Sequence, residues 1–253
     1  MDQLSSNRKI VRLEETESTN SYMKELLKSE SLDEGSIVMA DFQTAGRGQT
    51  GNSWYSEKGK NLLFSLLIHP TGIPANEQFI ISRITSLAIK NTLDQFVNDI
   101  RIKWPNDIYW EERKIAGVLI ENSIQGKRIE NSIIGIGLNL NQRDFPAELP
   151  NPISLRQITG TEVDREYVLE MLLKEFFLLY RGLQRGDKQL IEDEYMLDLY
   201  RVNGYYWYED ANGRFQARID NVLPSGHLVL KTLETNEERL YAFKEVQFVL
   251  YRE

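Results

Sequence analysis

The chain has 253 residues, enough for one large domain or for one medium domain with a small appendage. Hydrophobic residues make up 41% and charged residues 27%, which excludes disordered and fibrous classes, and the formal charge of -8 argues against general DNA binding. Cysteine is absent, which excludes disulfides and thiol nucleophiles, and neither a signal peptide nor a membrane-spanning run is found, so a cytoplasmic protein is predicted.

The first 140 residues alternate apolar runs of strand length with two segments of helical periodicity. A helix capped by Thr16, Ser18 or Thr19 is expected through Leu27, and a longer amphipathic helix over residues 75–97. Strands are expected at residues 10–13, 36–41, 62–69, 100–103, 114–121 and 129–140.

A proline-rich loop at residues 141–152 precedes two further predicted helices. Asp164 is the expected cap of the first, which ends at Gly182 and is apolar nearly all round, so it is predicted to be buried. The second is expected over residues 188–200.

After Asn203 the pattern changes to five short alternating runs, which predict strands at residues 205–209, 214–220, 227–232, 239–243 and 246–250. Asn212-Gly213 is a strong hairpin signal between the first two runs. Because so many short strands favour a small barrel, we place a domain boundary near residue 202, with one domain at 1–202 and a second at 203–253.

A glycine-rich segment, Gly46-Arg47-Gly48-Gln49-Thr50-Gly51, matches the pattern of dinucleotide-binding loops. That pattern must open a helix directly after a strand, and the following residues, NSWYSEKGKN, cannot form that helix. The segment therefore predicts a flexible loop whose backbone amides and Arg47 wrap an anionic ligand. An ordinary glycine-rich surface loop is the alternative.

A second segment, Lys103-Trp104-Pro105-Asn106-Asp107, predicts a rigid corner at a strand end, because Pro105 fixes its own φ and biases Trp104 toward extended geometry. Such a corner can present a lysine, an amide and a carboxylate to a triphosphate, its Mg²⁺ and an incoming nucleophile. The alternative is a structural turn with a solvated ion pair.

Two further features lie in predicted strands. Lys114 enters a strand that is otherwise apolar, so its charge is expected to need an anionic partner; a basic residue at a hairpin end is the alternative. Gly135 and Gly137 alternate along another strand, which they weaken unless a ligand or another backbone approaches closely.

In this order, the segments resemble the biotin protein ligase family. The matching residues are Ser18-Thr19-Asn20, residues 43–48 with Gly51 and Trp54, residues 103–107, residues 113–117 and residues 135–139. The resemblance spans residues 10–250 and implies an α+β fold, in which a mixed central sheet with flanking helices, like that of class II synthetases, precedes a small SH3-like barrel. Because the motifs begin by residue 18, the DNA-binding winged helix of bifunctional members is expected to be absent, and a monofunctional enzyme without repressor activity is expected.

The resemblance implies a two-step reaction with ATP, biotin and Mg²⁺. The carboxylate of biotin attacks the α-phosphate of MgATP to give biotinyl-5′-adenylate and pyrophosphate. A lysine of a biotin carboxyl carrier domain then attacks the adenylate, accepts the biotinyl group and releases AMP. Neither step needs a covalent enzyme intermediate, so catalysis is expected to come from orientation and electrostatics. Family members dimerise edge to edge, which makes a homodimer compatible with the resemblance.

The resemblance also carries roles over to individual residues. Those expected to be catalytic are Arg47, Lys103, Asn106, Asp107 and Lys114, with Asp107 also a candidate Mg²⁺ ligand. Those expected to bind biotin are Ser18, Thr19, Asn20, Gln43, Gly46, Arg47, Lys114, Gly117 and Gly135. Those expected to bind ATP or the adenylate are Arg47, Gly48, Gln49, Trp54, Lys103, Asn106, Lys114, Gly137 and Asn139; Trp54 is expected to fold over the adenine, or else to anchor the loop.

The glycine-rich segment departs from the family pattern G-R-G-R-x-G-R-x-W, since Gln49 and Asn52 replace the second and third arginines. Glutamine and asparagine offer only neutral hydrogen bonds, so the loop is expected to hold biotinyl-adenylate less tightly. The alternative is that Lys58 or Lys60 supplies the missing charge.

Two rival functions are compatible with parts of this pattern. A lipoate or octanoate ligase would carry an arginine-pair and glycine-triplet signature, which is not found here. A catalytically silent binder of biotin or nucleotide needs no phosphate machinery, so the retention of Arg47, Lys103, Asp107 and Lys114 argues against it.

Overall fold

Two β-sheets and a set of helices make up the part of the chain that the computed structural model describes, residues 8–49 and 51–249. The first sheet contains β1 (Ile10–Thr16), β2 (Ile37–Gln43), β3 (Leu62–Ile68), β4 (Ile100–Lys103), β5 (Asp107–Trp110), β6 (Arg113–Gln125) and β7 (Arg128–Leu138). The helices are α1 (Thr19–Ser29), α2 (Phe79–Leu93), α3 (Leu155–Thr159), α4 (Arg165–Arg185) and α5 (Lys188–Leu197), and a 3-10 turn covers Ala75–Glu77. The second sheet contains β8 (Tyr206–Asp210), β9 (Gly213–Val222), β10 (Leu228–Thr232), β11 (Glu238–Tyr241) and β12 (Gln247–Phe248).

The first sheet has the strand order β1-β2-β3-β7-β6-β5-β4. The β1–β2 pair is parallel and the other pairs are antiparallel, which confirms the predicted mixed sheet. β3 lies inside the sheet between β2 and β7, and all seven of its residues are buried, because helices pack on both faces of the sheet there.

The two faces of the first sheet are covered by different helices. Alternate residues of a strand point to opposite faces. Phe64 and Leu66 of β3 therefore pack in the main core with α2 and α4, whereas Leu67 packs with Met23 of α1 and Ile133 of β7 in a smaller cluster. By the same alternation, Ser65 of β3 lies on the face that α1 covers, and this face carries the cavity described below.

The second sheet is antiparallel, in the order β11-β10-β9-β8-β12. All five strands predicted after Asn203 are present, and the predicted hairpin joins β8 to β9 through residues 211–212. Within the described residues, β11 and β12 are not paired with each other, so an SH3-like barrel is not confirmed. The sheet shares the main core with α2 and α4, and the domain boundary near residue 202 stays a prediction.

Three local features differ from the sequence prediction. β5 is a four-residue strand that pairs with β4 directly across the predicted corner, with Lys103 opposite Asp107. α3 is a five-residue helix in the segment after the proline-rich loop, with a capping box formed by Ser154 and Gln157. The long helix predicted over 75–97 is shorter, since it follows a 3-10 turn and ends at Leu93. Thr50 and Leu250, which fall in predicted segments, lie outside the described residues.

Candidate active site

A cavity of about 100 Å³ lies on the α1 face of the first sheet. It is lined by most of the residues that the sequence singles out, namely Ser18, Thr19, Asn20, Gln43, Arg47, Gly48, Gln49, Trp54, Asn106, Asp107, Lys114, Gly117, Gly135 and Gly137. Residues separated by up to 119 positions in the chain are thus brought together by α1, the glycine-rich segment and strands β5 to β7.

Three glycines form the floor of this cavity. Gly117 of β6 is opposite Gly137 of β7, and Gly135 lies two residues before Gly137 on the same face. A Cβ on Gly135 would lie 2.4 Å from the Oδ1 atom of Asn20, and a Cβ on Gly137 would lie 2.4 Å from the ring of Trp54. A close approach to the alternating glycines is present, but the approaching groups are these two side chains rather than the backbone or ligand that the sequence predicts.

Ser18 stands at the N-cap of α1 but does not cap the helix with its side chain. An N-cap serine commonly stabilises a helix by about 1 kcal/mol through a hydrogen bond to a backbone N–H. Here the residue is 4% exposed and lines the cavity. The hydroxyl group of Ser18 is therefore left for the cavity rather than used by α1.

The amide of Asn20 has a fixed orientation. Its Nδ2 donates to the carbonyl of Leu119 at 3.2 Å and to the Oε2 atom of Glu121 at 2.8 Å, so both amide protons are used. Its Oδ1 accepts from the hydroxyl group of Ser65 at 2.5 Å and lies above Gly135. Asn20 therefore presents a carbonyl oxygen, a hydrogen-bond acceptor, to the floor of the cavity.

The amide of Gln43 is oriented in the opposite sense. Its Oε1 accepts from the backbone N–H of Thr19 at 2.8 Å and from the Thr19 hydroxyl at 3.1 Å. Its carbonyl oxygen is used by these bonds, so Gln43 offers its Nε2 donors instead. Ser18, Asn20 and Gln43 together present a hydroxyl, an acceptor and a donor to one cavity.

Within the glycine-rich segment, residues 46–49 pair with residues 51–54 as a hairpin, and we call these two stretches the loop hairpin. Trp54 N donates to Gly46 O at 2.9 Å, Gly48 N donates to Asn52 O at 2.7 Å, and Arg47 pairs with Ser53. Gly46 does not line the cavity; a Cβ there would lie 2.5 Å from the backbone oxygen of Trp54, so the hairpin itself requires a glycine.

Trp54, at the end of the loop hairpin, packs against the floor of the cavity. Its indole lies against Gly117 and Gly137, and the Nζ atom of Lys114 is 5.6 Å from the ring centroid. Within the described residues the buried indole Nε1 has no hydrogen-bond partner. Any ligand that lies against these two glycines has to displace the indole.

Arg47 is held at the edge of the cavity by a carboxylate that sequence reasoning did not assign. Its Nη2 donates to the Oε2 atom of Glu121 at 3.1 Å, and Lys24 of α1 contacts Oε1 of the same carboxylate at 2.5 Å. Burial alone would raise the pKa of Glu121, but the hydrogen bonds from Lys24 and Asn20 and the charge of Arg47 hold that pKa below its usual value.

Lys114 finds the anionic partner that its position in the sequence predicts. Its Nζ lies 2.6 Å from the Oδ1 atom of Asp107. Ile108 is opposite Ala116 and Tyr109 is opposite Lys114, so Ile115 is an extra residue on β6. This β-bulge turns Lys114 to the face of Gly117, whereas strict alternation would point it into the core. Asp107, the candidate Mg²⁺ ligand, is therefore engaged by Lys114.

The structure does not bring Lys103 or Asn139 to the cavity wall. The Nζ atom of Lys103 contacts the hydroxyl of Tyr109 at 3.0 Å and lies over the rings of Tyr109 and Phe248. Asn139 is buried, donates to the carbonyl of Ile153, and has an Oδ1 without a partner in the described part of the chain. Their roles in phosphate and nucleotide binding stay predictions.

Sequence reasoning missed several residues at this site, among them Ser65, Glu121 and Phe243. The hydroxyl of Ser65 forms hydrogen bonds to the side chains of Thr19 and Asn20. The sequence signal for it is a single serine within the apolar run LLFSLLI. Glu121 ends the predicted strand at 114–121 and received no role. Phe243, from the segment between β11 and β12, lines the cavity, and no pattern in the sequence indicated this.

Neither Lys58 nor Lys60 lines the cavity, so the structure does not show either residue supplying the charge that the loop hairpin lacks. Among the described residues, no group of three or more histidines or carboxylates could hold a metal ion. No helix in the described part of the chain is long and apolar enough to cross a membrane.

Known proteins are similar to this chain in sequence and in fold. Residues 13–139 match the Biotin/lipoate A/B protein ligase family. The chain is 36% identical over 215 residues to the bifunctional ligase/repressor BirA of Bacillus subtilis, a match that covers 82% of this chain and 65% of that protein. It is 33% identical over 171 residues to the biotin–[acetyl-CoA-carboxylase] ligase of Paracoccus denitrificans, covering 65% of this chain and 70% of the relative.

Among solved structures, the biotin protein ligase of Aquifex aeolicus in complex with biotin and ATP superimposes with a TM-score of 0.79. The identity is 26%, and the match covers 95% of this chain and 99% of that one. The chain spans about two thirds of the length of the BirA relative but nearly all of the Aquifex protein. Sequence and fold together show that this chain belongs to the biotin/lipoate protein ligase family.

Proposed function

We propose that this chain is an ATP-dependent biotin protein ligase, which converts biotin and ATP to biotinyl-5′-adenylate and pyrophosphate and then transfers the biotinyl group to a lysine of a biotin carboxyl carrier domain, with release of AMP. The observation that carries the proposal is the hydrogen-bonding pattern at the glycine floor. A ureido ring offers one carbonyl acceptor and two N–H donors. Ser18 and Gln43 can donate to such a carbonyl, and the Oδ1 atom of Asn20 can accept from an N–H.

The same pattern argues against lipoate as the substrate. A dithiolane ring has no N–H group and no carbonyl, so it could not pair with the Ser18 hydroxyl or the Gln43 Nε2 donors, and it would give the Oδ1 atom of Asn20 no partner beyond Ser65. Sites built around such hydrogen bonds reject analogues that lack them by a large factor. The Paracoccus relative is named a biotin–[acetyl-CoA-carboxylase] ligase, which also supports biotin as the substrate.

Lys114 supplies the electrostatic component of the first step. Its ammonium group lies on the same face as the glycine floor and can neutralise the carboxylate of biotin and then the charge that develops on the α-phosphate. Asp107 holds this ammonium in place and is the carboxylate beside which an acceptor amine would enter. Asn106 donates to the carbonyl of Val118, which fixes the turn that carries Asp107.

Mg²⁺ would enter as part of MgATP. Asp107 contributes the one carboxylate among the residues that line the cavity, which fits an ion bound mainly by phosphates and water. The Aquifex neighbour, solved with biotin and ATP, supports ATP as the second substrate. Trp54, displaced from the floor by biotin, would cover the bound intermediate. The absence of DNA binding, a homodimer and a cytoplasmic location stay predictions.

Biotin-dependent exchange of labelled pyrophosphate into ATP tests the proposal, because only the reversible formation of an acyl-adenylate produces it. We expect exchange with biotin and none with lipoate, followed by transfer of labelled biotin to a purified carrier domain when that domain is added. Exchange that is driven by lipoate, or biotin binding without any exchange, would refute the proposal in favour of one of the two rival functions.

A further inference from the structure

We propose that Glu121 is a positioning residue for biotin recognition, acting through Asn20 and Arg47; this inference rests on the function proposed above. Glu121 is on β6, two residues beyond Leu119 and four beyond Gly117, on the face that carries the cavity. It does not line the cavity itself. Its side chain is 21% exposed and is bound by three groups from α1 and the loop hairpin.

The first contact fixes the orientation of the Asn20 amide. With Glu121 present, the Nδ2 group donates to the Glu121 carboxylate and to the carbonyl of Leu119, which leaves only Oδ1 to face the floor. Without the carboxylate, one Nδ2 proton loses its partner and the amide can rotate. A rotated amide would present a donor to a ureido N–H, and two donors cannot pair.

The second contact holds Arg47 while leaving most of its donors available. A guanidinium group has five N–H donors, and the described contact with Glu121 uses one nitrogen. Glu121 therefore links the loop hairpin to β6 without withdrawing Arg47 from the cavity that it lines.

Lys24 makes this arrangement compatible with an anionic ligand. It contacts Oε1 of Glu121, whereas Asn20 and Arg47 both contact Oε2. One carboxylate is thus shared by two cations, so the cluster of Lys24, Arg47 and Glu121 keeps a formal charge of +1 toward the cavity. Glu121 can organise the site without repelling a carboxylate or a phosphate.

Three variants separate these contributions. Glu121→Gln keeps the shape and one carbonyl acceptor but removes the charge, and Glu121→Ala removes both. The matched control is Glu130→Gln, an exposed glutamate on the neighbouring strand β7. Biotin affinity is measured by calorimetry without ATP, and kcat and KM for biotin are measured by pyrophosphate exchange.

We expect Glu121→Gln to raise the Kd and KM for biotin by about fivefold, because its contacts to Arg47 and Lys24 lose their charge. We expect Glu121→Ala to raise both by about tenfold or more, because all of these contacts are lost. The kcat should change by less than about twofold, since Glu121 does not touch the reacting atoms, and Glu130→Gln should match the unmodified chain. A general loss of structure would instead lower kcat and the melting temperature together.

A double-mutant cycle with Arg47→Gln tests whether Glu121 acts through Arg47. We expect Glu121→Gln to add less to the Kd in the Arg47→Gln background than in the unmodified chain. If the two substitutions raise the Kd for biotin by independent factors that simply multiply in the double variant, coupling through Arg47 is overturned. An unmodified affinity in Glu121→Ala would overturn the inference alone, whereas absence of biotin binding by the unmodified chain would overturn it together with the proposed function.

Discussion

The glycine floor and the loop hairpin face each other across one cavity, but they are built in different ways. On the floor side, Thr19, Asn20 and Ser65 are all less than 5% exposed and are joined by hydrogen bonds into one buried network. In the loop hairpin, the side chain of Arg47 is 42% exposed and is held by a single carboxylate. The floor is suited to selecting a rigid polar ring, and the loop hairpin is suited to moving over it.

Lys114 and Arg47, two cations that line the cavity, show the same contrast between a rigid and an exposed setting. Lys114 is carried by a strand, turned into place by a β-bulge, and paired with Asp107 on the adjacent strand. Arg47 is carried by the loop hairpin and reaches across to Glu121. The departures from the family pattern, at Gln49 and Asn52, also fall in the loop hairpin. We infer that the floor provides most of the recognition and activation of biotin, to which the loop hairpin adds Arg47, whereas retention of the intermediate depends mainly on the loop hairpin.

The largest effect is expected from removing the cation on the floor side. Lys114→Ala should lower the rate of biotin-dependent pyrophosphate exchange by about 100-fold or more, because charge on the α-phosphate would develop without its cation and beside an unpaired Asp107. The melting temperature should stay close to that of the unmodified chain, since the Lys114 side chain is partly exposed. Lys58→Ala, an exposed lysine that does not line the cavity, is the control. Exchange within a few-fold of normal in a folded Lys114→Ala protein would contradict the assignment.

A smaller loss is expected from adding one methyl group to the floor. Gly135→Ala would place a Cβ 2.4 Å from the Oδ1 atom of Asn20, which hydrogen bonds hold in place, so the acceptor for the ureido ring must move. Overpacking of this kind costs about 1–3 kcal/mol, and we expect the Kd for biotin to rise by about 30-fold. Gly72→Ala, where a Cβ meets nothing within 4 Å, should bind biotin normally. Equal affinities in the two variants would show that the floor is not where biotin lies.

Two N-cap positions, at α1 and α4, allow effects on biotin binding to be separated from effects on stability. Ser18 does not cap α1, so Ser18→Ala should raise the Kd for biotin by about tenfold while leaving the free energy of unfolding unchanged. Asp164 does cap α4 by accepting from the backbone N–H of Glu166, so Asp164→Ala should lower the free energy of unfolding by about 1 kcal/mol and leave the Kd unchanged. Calorimetry and urea denaturation on both variants measure the two quantities. A destabilised Ser18→Ala protein with normal biotin affinity would reverse this interpretation.

The sequence predicted the strands of the floor well because their signals are local. Apolar runs predicted β3 and β7, and alternating glycines indicated a close approach, although the groups that approach are the side chains of Asn20 and Trp54 rather than a ligand or a backbone. The contacts across the cavity were harder to predict. The bulge at Ile115, which turns Lys114 to the cavity, arises from pairing with β5, a strand too short to show a pattern of its own.

The partners of the cations show the same limit. The need of Lys114 for an anion could be read from its apolar surroundings, but the identity of that anion could not. Glu121 and Phe243 reach the site through strand register and through the second sheet, respectively, and neither is marked by a motif. Lys103 belongs to a motif, yet its ammonium lies against the rings of Tyr109 and Phe248, because β12 of the second sheet packs there.

The smallest change tests the division between floor and loop hairpin most directly, because it alters only the loop hairpin. Gln49 lines the cavity, and its buried Oε1 has no partner within the described residues, so Gln49→Arg would place a guanidinium where the family pattern has one. The measurement is the release of preformed, labelled biotinyl-adenylate during a chase with unlabelled biotin, alongside the equilibrium Kd for biotin without ATP. The account predicts release slower by about fivefold, from one added charge-assisted hydrogen bond, with the Kd for biotin changed by less than about twofold. An unchanged release rate, or an equal change in both quantities, would contradict it.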